Sequence, residues 1–200
     1  MQDSLNNRPK LETLLSDFLH PNPNINKDAY IDMQEYWPEE SIQYLKSNLD
    51  SDDVELRRKS VKALSYFGTP IIPTILELYI SNSSLRFRVG CLKVLVILAA
   101  NNNMDNFYKD MQGVIEMAIN DDSVELTLAI ISLLRQLGQI ACPILMRLSV
   151  DKNILRAKAA ITALGEISDA RSEKLLKQLS NNKELDCILR ESALEALRYK

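Results

Sequence analysis

Val54-Glu55-Leu56-Arg57-Arg58-Lys59-Ser60-Val61-Lys62-Ala63-Leu64 sets apolar residues three and four places apart. Successive residues of a helix advance by about 100°, so this spacing gathers Val54, Val61 and Leu64 along one side and leaves Arg58 and Lys62 off it. Similar stretches start at Asn24, Leu85, Val124, Ile154 and Cys187, separated in order by steps of 30, 31, 39, 30 and 33 residues. Seven places after these six anchors stand Ile31, Val61, Leu92, Ile131, Ile161 and Leu194; ten places after the last five stand Leu64, Leu95, Leu134, Leu164 and Leu197. A repeat of about this period is the mark of a stacked helical array.

A second stripe precedes each anchor. Nine places before the first five lie Leu15, Leu45, Leu76, Ile115 and Leu145, and five places before the first four lie Leu19, Leu49, Ile80 and Ile119. Each unit therefore reads as helix, turn, helix. Asp52-Asp53, Asn82-Ser83, Asp121-Asp122 and Asp151 fall in the turns, where short polar side chains are expected to cap the helix that follows. Gly68 and Gly138 are placed to end helices in the left-handed conformation, and Pro38, Pro70 and Pro143 open the next units. The 39-residue step holds an insertion, Ala99 to Asp105, that reads as a loop or a bent joint.

Such a helix pair cannot bury its own apolar side, so the pairs must stack and share a core. The expected fold is all-α, an α-α superhelix of about six helix pairs. Residues 1–200 read as a single repeat domain, with 10–37 as a divergent N-terminal capping repeat carrying an exposed Asp32. Composition agrees: 46 % of the residues are hydrophobic, 26 % are charged, and only five are glycine. A net charge of −3 gives no general attraction to nucleic acid or anionic lipid. Met1 to Lys10 shows no secretory leader, and the longest apolar run, Val94 to Ala100, is far short of the ~20 residues of a membrane span, so the expected location is cytoplasmic.

Tetratricopeptide and ankyrin signatures are absent. The second unit's Val-x-Leu-Arg-x-x-Ser-Val-x-Ala-Leu, together with Ala159-Ala160-Ile161-Thr162-Ala163-Leu164-Gly165 and Arg190-Glu191-Ser192-Ala193-Leu194-Glu195-Ala196-Leu197, resembles HEAT repeats, in particular the short type found in phycobilisome lyases. With Tyr36-Trp37-Pro38 opening the second unit, the chain resembles the HEAT-repeat phycobiliprotein lyase and chaperone family of cyanobacteria, on its phycoerythrin-associated side. The resemblance implies a protein that binds a phycobiliprotein α or β subunit and assists attachment of an open-chain tetrapyrrole to its cysteines, beside a second HEAT-like lyase subunit. It implies no permanently bound cofactor, a transient bilin such as phycoerythrobilin, and no particular catalytic residue.

In that architecture the second helix of each pair lines the binding side, with places one, four, five, eight and twelve outside the core. Place eight reads Asp32, Lys62, Lys93, Ser132, Thr162 and Glu195; place four reads Asp28, Arg58, Val89, Leu128, Lys158 and Glu191. The middle is basic and then apolar, and Arg58, Lys62, Arg86, Lys93, Val89 and Leu128 form the candidate partner- or bilin-binding set, against the alternative of an ordinary solvated face. Tyr36 and Tyr66, with Tyr199, share place twelve and are candidate aromatic anchors, against packing within the core or an end cap. Arg57, Arg88 and Arg190 share place three and are expected to pair with turn aspartates such as Asp53.

A lone histidine, His20, and three scattered cysteines make no metal site, and Cys91 falls in a buried column of small side chains. No phosphate loop or serine-hydrolase motif occurs. Three other functions remain beside the family reading: a general HEAT scaffold for protein interaction unrelated to pigment; a lyase or isomerase acting alone through Asp28, Asp32 or Glu191; and a HEAT-like DNA glycosylase, which the acidic balance disfavours.

Overall fold

The computed structural model describes residues 8–199, so the reading of a leaderless start lies, for residues 1–7, outside the described residues. Among the described residues twelve α-helices follow one another: α1 (Leu11–Leu19), α2 (Pro23–Tyr36), α3 (Pro38–Ser47), α4 (Val54–Ser65), α5 (Ile72–Ser81), α6 (Leu85–Asn101), α7 (Tyr108–Ile119), α8 (Val124–Leu137), α9 (Cys142–Leu148), α10 (Ile154–Glu166), α11 (Ala170–Asn181) and α12 (Cys187–Ala196). No strand occurs among the described residues. Five of the six anchors are the first residues of α4, α6, α8, α10 and α12, and Asn24 is the second residue of α2. The chain divides into two compact units between Leu98 and Ala99.

In the first unit α1 packs on α2, α2 on α3, α3 on α4, and α1 also meets α4. In the second, α8, α10 and α12 lie side by side in order, with α9 and α11 forming the layer beside them. Leu64, Leu95, Leu134 and Leu164, one per interior repeat, are wholly buried. The place-seven column holds at Val61, Leu92, Ile131 and Ile161 but not at its ends, where Ile31 is 40 % and Leu194 56 % exposed. Both end helices bury a narrower arc, places two, five, six and nine: Asn26, Ala29, Tyr30 and Met33 on α2, and Leu189, Ser192, Ala193 and Ala196 on α12. Leu19 and Ile80, expected in the first-helix stripe, are exposed because Phe18 and Tyr79 fill the core one residue earlier.

The inserted stretch is not a loop throughout. Ala99 to Asn101 continue α6, and the irregular part is confined to 102–104, where Met104 turns back into the core. The unbroken apolar run before it, ending in two alanines of high helix propensity, carries the helix on.

The turns before α4, α6, α8 and α10 share one hydrogen-bond pattern. A side-chain oxygen three places before the anchor accepts the N–H two residues on: Ser51 from Asp53, Asn82 from Ser84, Asp121 from Ser123 and Asp151 from Asn153, over 2.7 to 3.2 Å. The residue just before the anchor then caps the helix, as Asp53, Ser123 and Asn153 do. Of the expected caps Asp53 is correct, whereas Asn82, Asp121 and Asp151 shape the turn, as Asx side chains do, and leave the cap to the residue beyond. The arginines bind the turns through carbonyl oxygens and not through Asp53. Arg57 donates to Ser51 O and Asp52 O, and Arg88 to Asn82 O at 2.7 Å. Arg190 makes no such side-chain bond among the described residues. Arg156, two places after its anchor and only 11 % exposed, reaches Asp121 O of the preceding repeat at 3.0 Å and Asp151 Oδ2 of its own at 3.4 Å.

Gly68 and Gly138 have φ of +68° and +63°, as anticipated, but their ψ values of −161° and −132° lie outside the left-handed helical basin, in a region essentially reserved for glycine. The first repeat, poor in apolar pattern, is held by polar side chains. Asn26 Nδ2 donates to the carbonyls of Asp17, Phe18 and His20, and Lys59 Nζ to those of Leu19 and His20, which satisfies the open end of α1.

Gly165 is where α10 and α12 meet backbone to backbone: a Cβ there would lie 2.9 Å from both the Cβ and the carbonyl oxygen of Ala196. Gly165→Ala is expected to cost about 1–3 kcal/mol despite the better helix propensity of alanine, read as a lowered midpoint in thermal or urea unfolding. Asp169 caps α11, and its carboxylate is gripped by Arg171, with Nη2 at 2.6 Å and Nε at 3.0 Å, which holds its pKa down at about 2 from the ordinary 3.8. A pKa lowered by folding gives stability that is complete above the unfolded value and fades as pH falls from about 4 through about 2. Arg171→Ala is expected to bring the Asp169 titration back toward its ordinary value, followed by carboxyl NMR, and to flatten the acid limb of stability against pH.

Candidate functional site

At about 100° per residue, places zero, one, four and eight of an even helix fall within one arc of roughly 100°, clear of the buried columns. Asp28, Arg58 and Leu128 at place four, and Lys62, Lys93, Thr162 and Glu195 at place eight, are exposed as the pattern required; Asp32 and Val89 are half-buried. Place five is different: Ala29, Gly90, Ala129 and Ser192 are buried there and Lys59 and Ala159 half-buried, so this column belongs to the edge of the core and not to the exposed arc.

In the first unit the basic residues divide by partner. Arg86 Nη1 donates to Asp52 Oδ1 at 2.7 Å and Asp50 O at 3.2 Å, so it ties the start of α6 to the turn before α4. Arg58 stands 3.9 Å from Glu55 with its side chain 75 % exposed, a pairing that binds it weakly. Lys62 and Lys93 have no carboxylate partner among the described residues. Val89 lies between Arg86 and Lys93 on α6, and Leu128, 47 % exposed, belongs to the second unit.

Tyr66 ends a chain of edge-on rings, with Tyr30 at 5.3 Å, Phe18 at 5.9 Å from Tyr30, and Tyr44 at 5.8 Å from Phe18. Burial lifts the Tyr30 hydroxyl to about 12, as befits a core phenol. Tyr36 is half-buried, its hydroxyl raised by a hydrogen bond with Glu35, and its carbonyl receives Arg8. Beside it Trp37 lies under the Arg8 guanidinium at 3.4 Å and donates Nε1–H to Pro9 O at 2.9 Å. Burial, then Glu35 and Asp28, push the Asp32 carboxyl up.

No group of three or more potential metal ligands occurs among the described residues, and His20 Nδ1 accepts the Asn22 N–H at 3.0 Å. No helix among the described residues is long and apolar enough to cross a membrane by itself.

One feature escaped the sequence reading. In the second unit α10 and α12 open into a cleft of about 580 Å³, with Thr162 and Glu166 on one side and Glu195, Arg198 and Tyr199 on the other. Apart from Arg198, at place eleven, these are places eight and twelve of the last two repeats, so the columns were visible; what was hidden is that the close approach at Gly165 and Ala196 makes them converge.

The anchored helix pairs and their stacking define a HEAT-like helical-repeat protein. Its likeness to two cyanobacterial proteins runs along most of the chain. The chain is 22 % identical to phycocyanin operon protein Z of Pseudanabaena tenuis, over 94 % of its own length and 93 % of that protein's. It is 24 % identical to the bilin biosynthesis protein CpeZ of Synechococcus sp., over 82 % of its length and 91 % of that protein's. No family model matches. In fold it is similar to the crystal structure of an engineered protein, with a TM-score of 0.51 at 16 % identity, over 94 % of this chain and 95 % of that one.

Cys91 is fully buried and its thiol is pushed up to about 12, while Cys187 is exposed at the start of α12. Under native conditions a maleimide or aromatic disulfide reagent is therefore expected to modify Cys187 first and leave Cys91 untouched until unfolding. Peptide mapping after brief labelling checks this; early loss of the Cys91 thiol would contradict its burial.

Proposed function

We propose that the chain binds phycobiliprotein subunits and assists the covalent attachment of bilin to them, as a lyase component or chaperone. The observation that carries this reading is a likeness spanning almost the full length of two relatives, one of them named for bilin biosynthesis. The pigment passes through transiently, phycoerythrobilin being the first choice, and the immediate partners are a phycobiliprotein α or β subunit and a second HEAT-like lyase subunit. Residues 1–200 act in this reading as one repeat domain in the cytoplasm, with 10–37 as its capping repeat.

The exposed face of α4 and α6 supports it. Lys62 and Lys93 carry positive charge with no carboxylate partner among the described residues, and Arg58 beside Lys62 is held only weakly by Glu55, although the chain as a whole is acidic at −3. Local charge against the overall sign marks a surface for an acidic partner, since complementary potential speeds encounter and fixes orientation. Arg86, held by Asp52, steadies that face more than it reaches outward.

Co-expression with phycoerythrin α and β subunits, a bilin supply and a candidate lyase is expected to raise the yield of soluble subunit with fluorescent, covalently attached pigment relative to cells lacking the chain. Gain of soluble apo-subunit alone identifies a chaperone; attachment with no other lyase present identifies an enzyme; no change in either rejects the proposal. Lys62→Glu with Lys93→Glu is expected to weaken subunit capture by about tenfold or more, in line with reversing two charges of a docking face. Capture unchanged in a pull-down with purified subunit removes that face from consideration.

A further inference from the structure

The cleft between α10 and α12 has a chemistry unlike that of the basic face. Tyr199 is 76 % exposed at its edge, a large ring with neither a ring partner nor a hydrogen-bond partner among the described residues. Next to it Arg198 carries a guanidinium without a partner among the described residues, and its planar fork suits a carboxylate. Across the cleft Glu166 is already held by Arg135 at 2.6 Å, so that pair contributes little net charge. Glu195 has no such partner among the described residues, and its carboxylate oxygens accept hydrogen bonds. The hydroxyls of Thr162 and Ser192 donate to the carbonyls of Lys158 and Ile188, at 3.1 and 2.8 Å, and so present lone pairs to the cleft.

Among the described residues the cleft offers Arg198 as its free cation, several acceptors and one open aromatic face, and these select their complement. A phosphate-rich ligand is unsuited, because a single arginine stands beside a free carboxylate. A flat, conjugated molecule with N–H groups and a carboxylate fits every element: its body against Tyr199, its N–H groups toward Glu195, its acid on Arg198. The volume of about 580 Å³ is within the range of pockets that hold small organic ligands. The floor is rigid, since Ala196 bears directly on Gly165. We propose that this cleft is a binding site for such a ligand, and that the open-chain tetrapyrrole is its occupant, with Tyr199 as the stacking residue and Arg198 as the carboxylate anchor. The identity of the occupant rests on the function proposed above; the place does not.

Titration of the purified chain with free phycoerythrobilin, followed by the shift and sharpening of its visible absorption band, tests this. The wild-type chain is expected to bind saturably, and Tyr199→Ala and Arg198→Glu each to bind about tenfold more weakly. The dimethyl ester of the bilin, lacking the acid, is expected to bind the wild-type chain as weakly as the parent bilin binds the Arg198→Glu variant, a comparison that needs no variant to fold. No saturable binding by the wild-type chain, or binding within twofold of wild type by both cleft variants, overturns the assignment. Subunit capture measured on the same proteins separates the two ideas: if it persists while bilin binding is absent or indifferent to the cleft, the cleft assignment falls and the proposed function stands.

Discussion

Leu64, Leu95, Leu134 and Leu164 occupy one place in four successive repeats, and none of them meets solvent. Everything else in the molecule follows from that burial. A helix of 12 or 13 residues such as α4 or α10 has far too little apolar surface to fold with its own partner alone, so its leucine must be covered by the next repeat. Once the interior side of every even helix is committed in this way, the outward arc is committed too, because the pitch of the helix leaves no freedom to choose which residues face water. The proposed binding surfaces are thus a remainder, set by what the core did not take.

Registration between repeats is assigned to polar groups. Arg86 reaching the carbonyl of Asp50, and Arg156 reaching the carbonyl of Asp121, span from one turn to the previous one. Carbonyl oxygens at a turn are fixed by the backbone, whereas aspartate side chains at the surface wander, which makes the carbonyl the better gauge of spacing. The Arg156 side chain, almost entirely covered, exchanges hydration for these bonds, and its value lies in fixing how repeats abut more than in net stability. Gly165 performs the same task by removal: with no side chain there, α10 and α12 close to backbone contact.

Much of this was legible in the chain itself. The anchors marked helix starts to within one residue, and Cys91 was placed in the core from the small residues in its column, Ser60, Ala160 and Ala193, all of them buried. The failures cluster where pattern gives way to geometry. Ile31 and Leu194 satisfied the periodicity yet lie on end helices that bury a narrower arc, and a period says nothing about how many neighbours a repeat has. Asn82, Asp121 and Asp151 have the composition of caps but sit two residues too early to serve as such. The cleft depended on a crossing distance, a quantity that no list of columns contains.

The chain's one tryptophan, Trp37, belongs to the first unit, with a guanidinium stacked on its indole. Indole emission is therefore a private signal of that unit, silent about α7 to α12, while far-ultraviolet ellipticity sums over both. Chemical denaturation followed by the two probes together measures how far melting of one half commits the other, and coincident curves mean that the repeats behave as a single cooperative body.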